Sequence, residues 1–494
     1  MLEVYRLAFL CAIFHVNVDC APFPEHIVYP KLLEARGING QKVLHIKDGL
    51  TLTLEKLSVL ADSLVFTESN DGVATETIMN GAELEENLYH DREKMAAVAV
   101  EVIDDTIEVM GVISETMRIA SLPAMARSEE GHIAHKIYKI ERSITQWEND
   151  ADTVPEATSS SKRRGRAAFA NVIPGEFFVE VHMMVDKHHY KPFDERHQLV
   201  KYLALNLALV NMRFEDTSNP KIQFLLTSIK LEPDFAETYN DTDYYWPKAI
   251  KTYADANQTF YTLLNKYGRS PADITVAVTG LTLADYDYST ERTTIAVEGQ
   301  ARLGGVCNVN YSMVMVEDVP MSFGMVSRLP HELGHALGAP HDGLTYTWNE
   351  YLQPRSDCSI FKESDHFIMH RSEPGNGKFS NCSKEHMTAF ISTLTEACFN
   401  LKTEQNCTTK MEELPGASVN LTEICIRAHP NFPEWNLQRD DYLNSRCLFE
   451  CCANSPFGPT CKKEPLPDGA ECGGGKRCVR GKCGNYDKYG NLKL

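Results

Sequence analysis

The chain has no cysteine between Cys20 and Cys307, whereas thirteen cysteines follow from Cys307 to Cys483. It also has no run of about 18 uninterrupted apolar residues, the length that a helix needs to cross a bilayer. Positive charge is scarce, because 49 lysines and arginines stand against 68 acidic residues and leave a net charge of −19. A nucleic-acid partner or an anionic membrane is therefore disfavoured, and we expect no membrane anchor.

The first twenty residues have the features of a secretory signal peptide. Arg6 precedes an apolar run from Leu7 to Val16, and the segment ends at the small residue Cys20. The alternative is a buried N-terminal helix. The dense cysteines near the other end favour an oxidising compartment, where disulfides form. We therefore expect a secreted, extracellular protein.

The pattern with the clearest chemistry is His-Glu-Leu-Gly-His-Ala-Leu-Gly-Ala-Pro-His at residues 331–341. His331 and His335 are four residues apart, so on a helix both imidazoles leave the same face at the spacing that one zinc ion needs. Gly338 can end that helix in a left-handed conformation and let the chain return His341 as a third ligand. Three protein ligands with an open fourth position are typical of catalytic zinc.

Chance is a poor explanation of this pattern. A bare His-x-x-x-His pair is common, but here five residues are fixed over eleven positions, and a random match in such a chain is expected on the order of once in ten thousand. Glu332 follows the first histidine and cannot also fold back onto the same ion. Its carboxylate is left free to act as general base on a water molecule that zinc activates.

With these residues the sequence resembles the metzincin zinc endopeptidases, whose histidine pattern is followed by a Met-turn. Asp342, directly after the third histidine, resembles the reprolysin (adamalysin) branch, which includes the ADAM and ADAMTS proteases and the snake-venom metalloproteases. The resemblance implies that Met369, 28 residues beyond His341, is the Met-turn residue beneath the zinc site. A lone methionine in this position would otherwise be core filler.

The fold class that follows is α/β, with a metzincin-type mostly parallel twisted sheet. Strands are predicted at 177–185, 222–231 and 274–278, and helices at 194–210 and 249–267. Residues 299–307 resemble the family's antiparallel edge strand, which could pair with an extended peptide substrate. Pro330 departs from the family pattern. Because proline is tolerated in a first turn, the active-site helix should begin near Ser327, or else a longer helix is kinked here.

We divide the chain into four segments: a signal peptide (1–20), a β-rich pro-domain (21–166), a reprolysin-type zinc peptidase domain (167–400) and a disulfide-rich, ADAMTS-like tail (401–494). In the pro-domain, alternating apolar residues predict strands at 43–46, 50–54, 96–103 and 107–113. A polar linker then ends in Lys162-Arg-Arg-Gly-Arg166, where Arg163 and Arg166 form a proprotein-convertase motif. We predict cleavage after Arg166, the alternative being a solvated basic loop.

The resemblance also implies disulfides Cys307–Cys398 and Cys358–Cys382, and a calcium carboxylate at Glu180. The tail holds nine cysteines, an odd number that leaves one thiol free or paired between chains. Six sequons are N-glycosylation candidates, two of which (381 and 406) flank cysteines that could hinder modification. They are Asn240, Asn257, Asn310, Asn381, Asn406 and Asn420.

The function implied by the resemblance is that of a zinc endopeptidase secreted as a zymogen, similar to the short ADAMTS-like proteases of tick saliva, with matrix or plasma proteins such as fibrinogen as substrates. One alternative is a non-enzymatic protein whose tail binds a receptor or matrix; another is a zinc exopeptidase. The pro-domain has no cysteine, so the thiolate that silences many reprolysin zymogens is missing. Latency must then come from another group on the zinc or from coverage of the substrate edge.

Overall fold

The computed structural model describes most of the chain between residues 26 and 486. The described ranges are 26–34, 42–70, 73–103, 106–139, 173–232, 234–235, 239–241, 251–268, 272–287, 292–294, 297–308, 310–343, 358–362, 365–370, 377–401, 416, 420–428, 435–455, 458–479 and 481–486. The predicted signal peptide and the convertase motif at Arg163 and Arg166 lie outside these ranges.

The predicted pro-domain is built mainly from strands. Its elements are β1 (His26–Val28), β2 (Lys31–Glu34), β3 (Lys42–Lys47), β4 (Leu50–Lys56), β5 (Leu60–Asn70), β6 (Val73–Asn80), α1 (Gly81–Leu84), β7 (Leu88–Asp91), β8 (Ala96–Ile103), β9 (Thr106–Val112), β10 (Met117–Ser121) and β11 (His135–Lys139). The four strands predicted from alternation coincide with β3, β4, β8 and β9. An antiparallel sheet has the order β1-β11-β10-β9-β8-β7-β4-β3-β2.

The predicted peptidase domain alternates strands and helices. Its elements are β12 (Glu176–Asp186), α2 (Lys187–Tyr190), α3 (Arg196–Phe214), β13 (Lys221–Glu232), β14 (Tyr239–Asp241), β15 (Lys251–Asp255), α4 (Ala256–Tyr267), β16 (Ile274–Thr279), β17 (Thr282–Asp287), β18 (Arg292–Thr294), β19 (Gly299–Ala301), β20 (Met313–Glu317), α5 (Met325–Ala336), a 3-10 turn (Cys358–Ile360), α6 (Asn381–Ile391) and α7 (Glu396–Phe399).

The domain is α/β, as predicted, and its main sheet has the order β19-β20-β16-β12-β13-β5-β6. The four strands β20, β16, β12 and β13 are parallel, and β19 is the antiparallel edge. Helix α3 is buried along most of its length because it packs on this sheet. A smaller sheet has the order β14-β15-β17-β18.

Two predicted boundaries were wrong. The helix predicted at 249–267 begins only at Ala256, because Lys251–Asp255 pairs as a strand and the Asp255 carboxylate caps the helix by accepting from Gln258 N. The predicted edge strand is also shorter than expected, since β19 ends at Ala301 and a turn follows.

The predicted pro-domain also contributes two strands to the sheet of the predicted peptidase domain. Strand β5 runs parallel to β13, with Phe66 opposite Ile229, and β6 closes that edge as the second strand of a hairpin. One hydrophobic core therefore continues from Leu64 and Phe66 into the peptidase domain. The predicted boundary near residue 166 does not separate two sheets.

The tail consists of α8 (Leu421–Ala428), β21 (Asn436–Gln438), α9 (Asp441–Ser445), β22 (Leu448–Ser455), β23 (Gly458–Pro465), β24 (Glu471–Gly473), β25 (Lys476–Val479) and β26 (Lys482–Gly484). Its strands form two small sheets stapled by Cys425–Cys451, Cys447–Cys478, Cys452–Cys461 and Cys472–Cys483. The ninth cysteine, Cys407, lies outside the described residues. Across the described ranges, no helix is long and apolar enough to cross a membrane.

Candidate metal centre

Helix α5 carries the first two histidines and begins earlier than the sequence suggested. Its first backbone amide, Met325 N, donates to the Asp318 carboxylate at 2.9 Å. Ser327 lies within the helix, where its hydroxyl donates to Gly324 O, so the prediction of an N-cap at Ser327 was wrong. Pro330 lies inside the helix and removes one backbone hydrogen bond. The capping carboxylate comes from the end of β20, so it could not be found by local spacing.

The three histidines converge on one point. His331 and His341 place their Nε2 atoms 3.2 Å apart, and His335 Nε2 lies 3.1 Å from each. All three side chains are buried. The turn that returns His341 passes through Gly338 at a φ of +92°, where a Cβ would lie 2.6 Å from the Phe390 side chain.

This arrangement fits a metal ion such as zinc. His331 Nδ1 lies 2.7 Å from Ile368 O and His335 Nδ1 lies 2.8 Å from Ala339 O, so each carbonyl selects the tautomer that leaves the Nε2 lone pair on the shared point. Three lone pairs that face one another repel unless a cation lies between them. A tetrahedral ion with bonds of about 2.0–2.1 Å would hold its ligands about 3.3 Å apart, close to the observed separations.

Glu332 lies beside this cluster and is not a member of it. The side chain is fully buried and faces the edge strand: a Cβ built on Gly299 would lie 2.6 Å from Glu332 Oε1. A carboxylate held against the strand that could pair with a peptide is well placed to exchange a proton with a substrate there.

Met369 lies in a turn directly beneath α5. It is fully buried, and a Cβ on Gly334 would meet its sulfur at 2.5 Å, so only a glycine between the two helical histidines lets the methionine approach this closely. Met369 O accepts from Asp342 N at 2.8 Å. The Asp342 carboxylate in turn accepts from Ser380 Oγ at 2.7 Å. Burial raises the pKa of Asp342, while the Ser380 hydrogen bond opposes that rise.

An ion pair that sequence reasoning missed joins the edge strand to the helix. Arg328 donates from Nε and Nη2 to the two carboxylate oxygens of Glu298, each at 2.6 Å. Both side chains are mostly buried, with 16% and 13% of their surface exposed. Nearby, burial raises the pKa of Glu317 to about 7. The pair fixes the entry to β19 against α5, one turn before His331.

Both disulfides implied by the resemblance are present: Cys307–Cys398 and Cys358–Cys382. The first lies beside the Asp273 carboxylate. Asp273 also accepts from Glu180 N at 3.0 Å, and both acidic residues are buried. The sequence indicated Glu180 but not Asp273, which precedes β16 and meets Glu180 only through strand pairing.

The sequons differ in their surroundings. Asn310, Asn381 and Asn420 are exposed, but Ser383, the hydroxyl residue of the second of these sequons, is buried against Asp342. Asn257 is half-buried, and its Oδ1 accepts from Gln300 Nε2 at 2.9 Å. The Asn240 side chain and Asn406 lie outside the described parts.

Comparison with known proteins agrees with this geometry. Residues 177–402 match the model of the Reprolysin (M12B) family of zinc metalloproteases. An "A disintegrin and metalloproteinase with thrombospondin motifs like" protein of Bombyx mori is 24% identical over 67% of this chain, and the alignment spans 48%, about half, of that relative. Venom metalloproteinase 3 of Eulophus pennicornis is 24% identical over 63% of this chain and 72% of its own length. Venom metalloproteinase BumaMPs1 of Olivierus martensii is 22% identical over 74% and 89%. Residues 177–402 therefore belong to the reprolysin (M12B) family of zinc metalloproteases, within the metzincins.

Proposed function

We propose that the chain is a secreted zinc endopeptidase made as a zymogen. The observation that carries this proposal is the convergence of three buried histidine Nε2 atoms beside a buried carboxylate that is not one of the ligands. His331, His335 and His341 would hold the ion. When bound, zinc would act as a Lewis acid that makes a water molecule more acidic and polarises the scissile carbonyl.

Glu332 would do the proton chemistry. Its carboxylate takes the proton from the attacking water and returns it to the leaving amine as the peptide bond breaks. Met369 would support the ligands from below, and Asp342 would hold the loop that follows His341 through Met369 O and Ser380.

The substrate would bind in extended form along β19. That edge has backbone groups on its outer side, and the Arg328–Glu298 pair holds it at a set distance from α5. The expected substrates are extracellular matrix or plasma proteins, with fibrinogen as one candidate. Maturation would follow cleavage by a proprotein convertase after Arg166. A Ca²⁺ ion at Glu180 and Asp273 would serve structure and not catalysis.

Zinc content and turnover, measured together, test the mechanism. Glu332→Ala should bind one zinc per chain and lose peptidase activity, because the glutamate handles protons; His335→Ala should lose the metal as well. Glu176→Ala and His197→Ala, at two exposed positions, serve as matched controls and should behave as wild type. Normal turnover in the Glu332→Ala variant would contradict the proposed mechanism.

A peptide library with blocked termini, digested with and without chelator, separates the alternatives. Cleavage at internal bonds supports an endopeptidase, whereas an exopeptidase would need a free terminus. A purely receptor- or matrix-binding protein would cleave neither blocked nor free peptides, and chelator would not change its binding.

A further inference from the structure

The pro-domain is joined to the peptidase domain by a shared sheet. Leu226 N in β13 donates to Val59 O at 2.7 Å, and the β5–β6 hairpin extends the sheet at the edge opposite β19. If the pro-domain left, β13 would become an open edge with unpaired backbone groups. Leu64 and Phe66, two apolar residues of β5, are buried in the same core as α3.

Ion pairs accompany this apolar contact of β5 with β13 and α3, which together with them forms the seam between the two domains. The Nη1 atom of Arg213, in α3, lies 2.9 Å from Glu115 Oε1, and Arg92 Nε lies 3.1 Å from Glu215 Oε1. Two further pairs, Arg196–Glu68 and Lys201–Glu101, join the same two domains. All four pairs have one partner on each side of the predicted cleavage site, so the interface is complementary in charge.

A third contact reaches the loop before α5. The Arg118 guanidinium, which is 5% exposed, donates to Ser322 O and Phe323 O at 3.3 Å each. Phe323 and Met321 have positive φ values of 56° and 63°, which are uncommon for residues other than glycine. The pro-domain thus holds the strained segment that leads into the histidine helix.

The tail also depends on the pro-domain. Leu33 and Val43, from β2 and β3, lie in one apolar cluster with Trp435 and Phe449 of the tail. Thr51 donates to the buried Glu464 carboxylate at 3.3 Å. A small disulfide-stapled module has little core of its own. These pro-domain residues therefore complete the tail's core.

We propose that the pro-domain is a permanent subunit of the cleaved protein, bridging the peptidase domain and the tail. The proposal rests on the proposed cut after Arg166. The cut falls between residues 139 and 173, and the sheet, the seam and the tail core all lie outside that interval. Cleavage removes a covalent link but none of these contacts, so the mature form is a non-covalent complex of two fragments.

The test separates association from catalysis and from convertase recognition. The starting protein is a Glu332→Ala precursor with a C-terminal tag and a foreign protease site in the 151–161 linker. It is cut with that protease and captured through the tag at about 1 µM. This concentration lies well above the dissociation constant expected of an interface that includes a shared sheet and a shared core. We expect the two fragments in equal amounts on the resin and together in gel filtration. Loss of the pro-domain into the wash in native buffer would overturn the proposal, whatever the remaining fragment does.

Variants locate the interface. Glu115→Lys should raise the fraction of released pro-domain by about tenfold, and adding Arg213→Glu should restore retention. Glu76→Lys, on the exposed outer strand β6, is the matched control and should release nothing. Equal release from Glu115→Lys and Glu76→Lys would contradict the seam described above.

A second variant tests the tail. Val43→Glu should speed proteolysis within residues 435–486 by about tenfold, since it places a charge in the shared core. Val102→Glu, at an exposed position, should leave the tail as resistant as in wild type. Unchanged resistance in Val43→Glu would show that the tail is independent of the pro-domain. If Val43→Glu does not fold, the capture of the otherwise unmodified pro-domain still decides the proposal.

Discussion

Gly299→Ala is the change that most directly tests the geometry around Glu332. The new Cβ would lie 2.6 Å from Oε1, 2.8 Å from Cγ and 2.9 Å from Cδ of Glu332. Because the strand backbone of β19 is paired with β20, the glutamate has to move. It must retreat by about 0.8 Å to reach the 3.4 Å at which ordinary van der Waals contact begins.

The magnitude follows from that displacement. A misplacement of about 1 Å in a catalytic group costs about 10²-fold in rate, or about 2.7 kcal/mol in the activation barrier. The cost to folding is smaller, because overpacking costs about 1–3 kcal/mol and replacing a strand glycine returns about 0.5–1 kcal/mol. We therefore expect kcat/KM to fall about 10²-fold while the protein stays folded and keeps one zinc.

The assay measures kcat/KM, zinc stoichiometry and melting temperature on the same preparation. Gly175→Ala is the matched control, since its Cβ meets nothing within 4 Å and its backbone is not left-handed. Full activity in Gly299→Ala would refute the placement of Glu332 against β19. A loss of activity that only tracks a loss of zinc would refute the argument that the carboxylate, not the metal, is disturbed.

Three further outcomes are expected. Gly334→Ala should displace Met369 from beneath α5 and destabilise the peptidase domain by about 1–3 kcal/mol, visible in urea unfolding; unchanged stability would contradict the close packing. Burial raises the pKa of Glu85 from 4.5 to about 7, so its contribution to stability is full below pH 4.5 and is lost as pH rises through 7. The melting temperature of wild type should therefore fall relative to that of Glu85→Gln as the pH rises from 5 to 8. Parallel plots of melting temperature against pH for the two proteins would refute this. If the chain is a zymogen, as proposed, thiol-reactive mercurials should not activate it when uncut, since residues 21–166 contain no cysteine, whereas cutting after Arg166 should; activation by the mercurial alone would show a thiol-based latency.

Local periodicity was enough to predict much of the architecture. Alternation placed β3, β4, β8 and β9, and the apolar runs at 222–231 and 274–278 coincide with β13 and β16. It failed at Lys251–Asp255, where a partner strand outweighs the helical tendency of the surrounding residues. It also failed at Ser327, because the cap of α5 is a carboxylate seven residues before the helix.

The histidine site was predictable because its information is local. A four-residue spacing on one helix and a glycine that reverses the chain bring three imidazoles together whatever surrounds them. The sequence alone therefore predicted the three histidines that converge in the structure, and the family that residues 177–402 match. Contacts between distant positions were decided only by the tertiary structure. Examples are the Arg328–Glu298 pair, Asp273 beside Glu180, the pairing of β5 with β13, and the tail core completed by Leu33 and Val43. Such contacts depend on which elements become neighbours when the whole chain buries its apolar surface, and no spacing along the sequence encodes that choice.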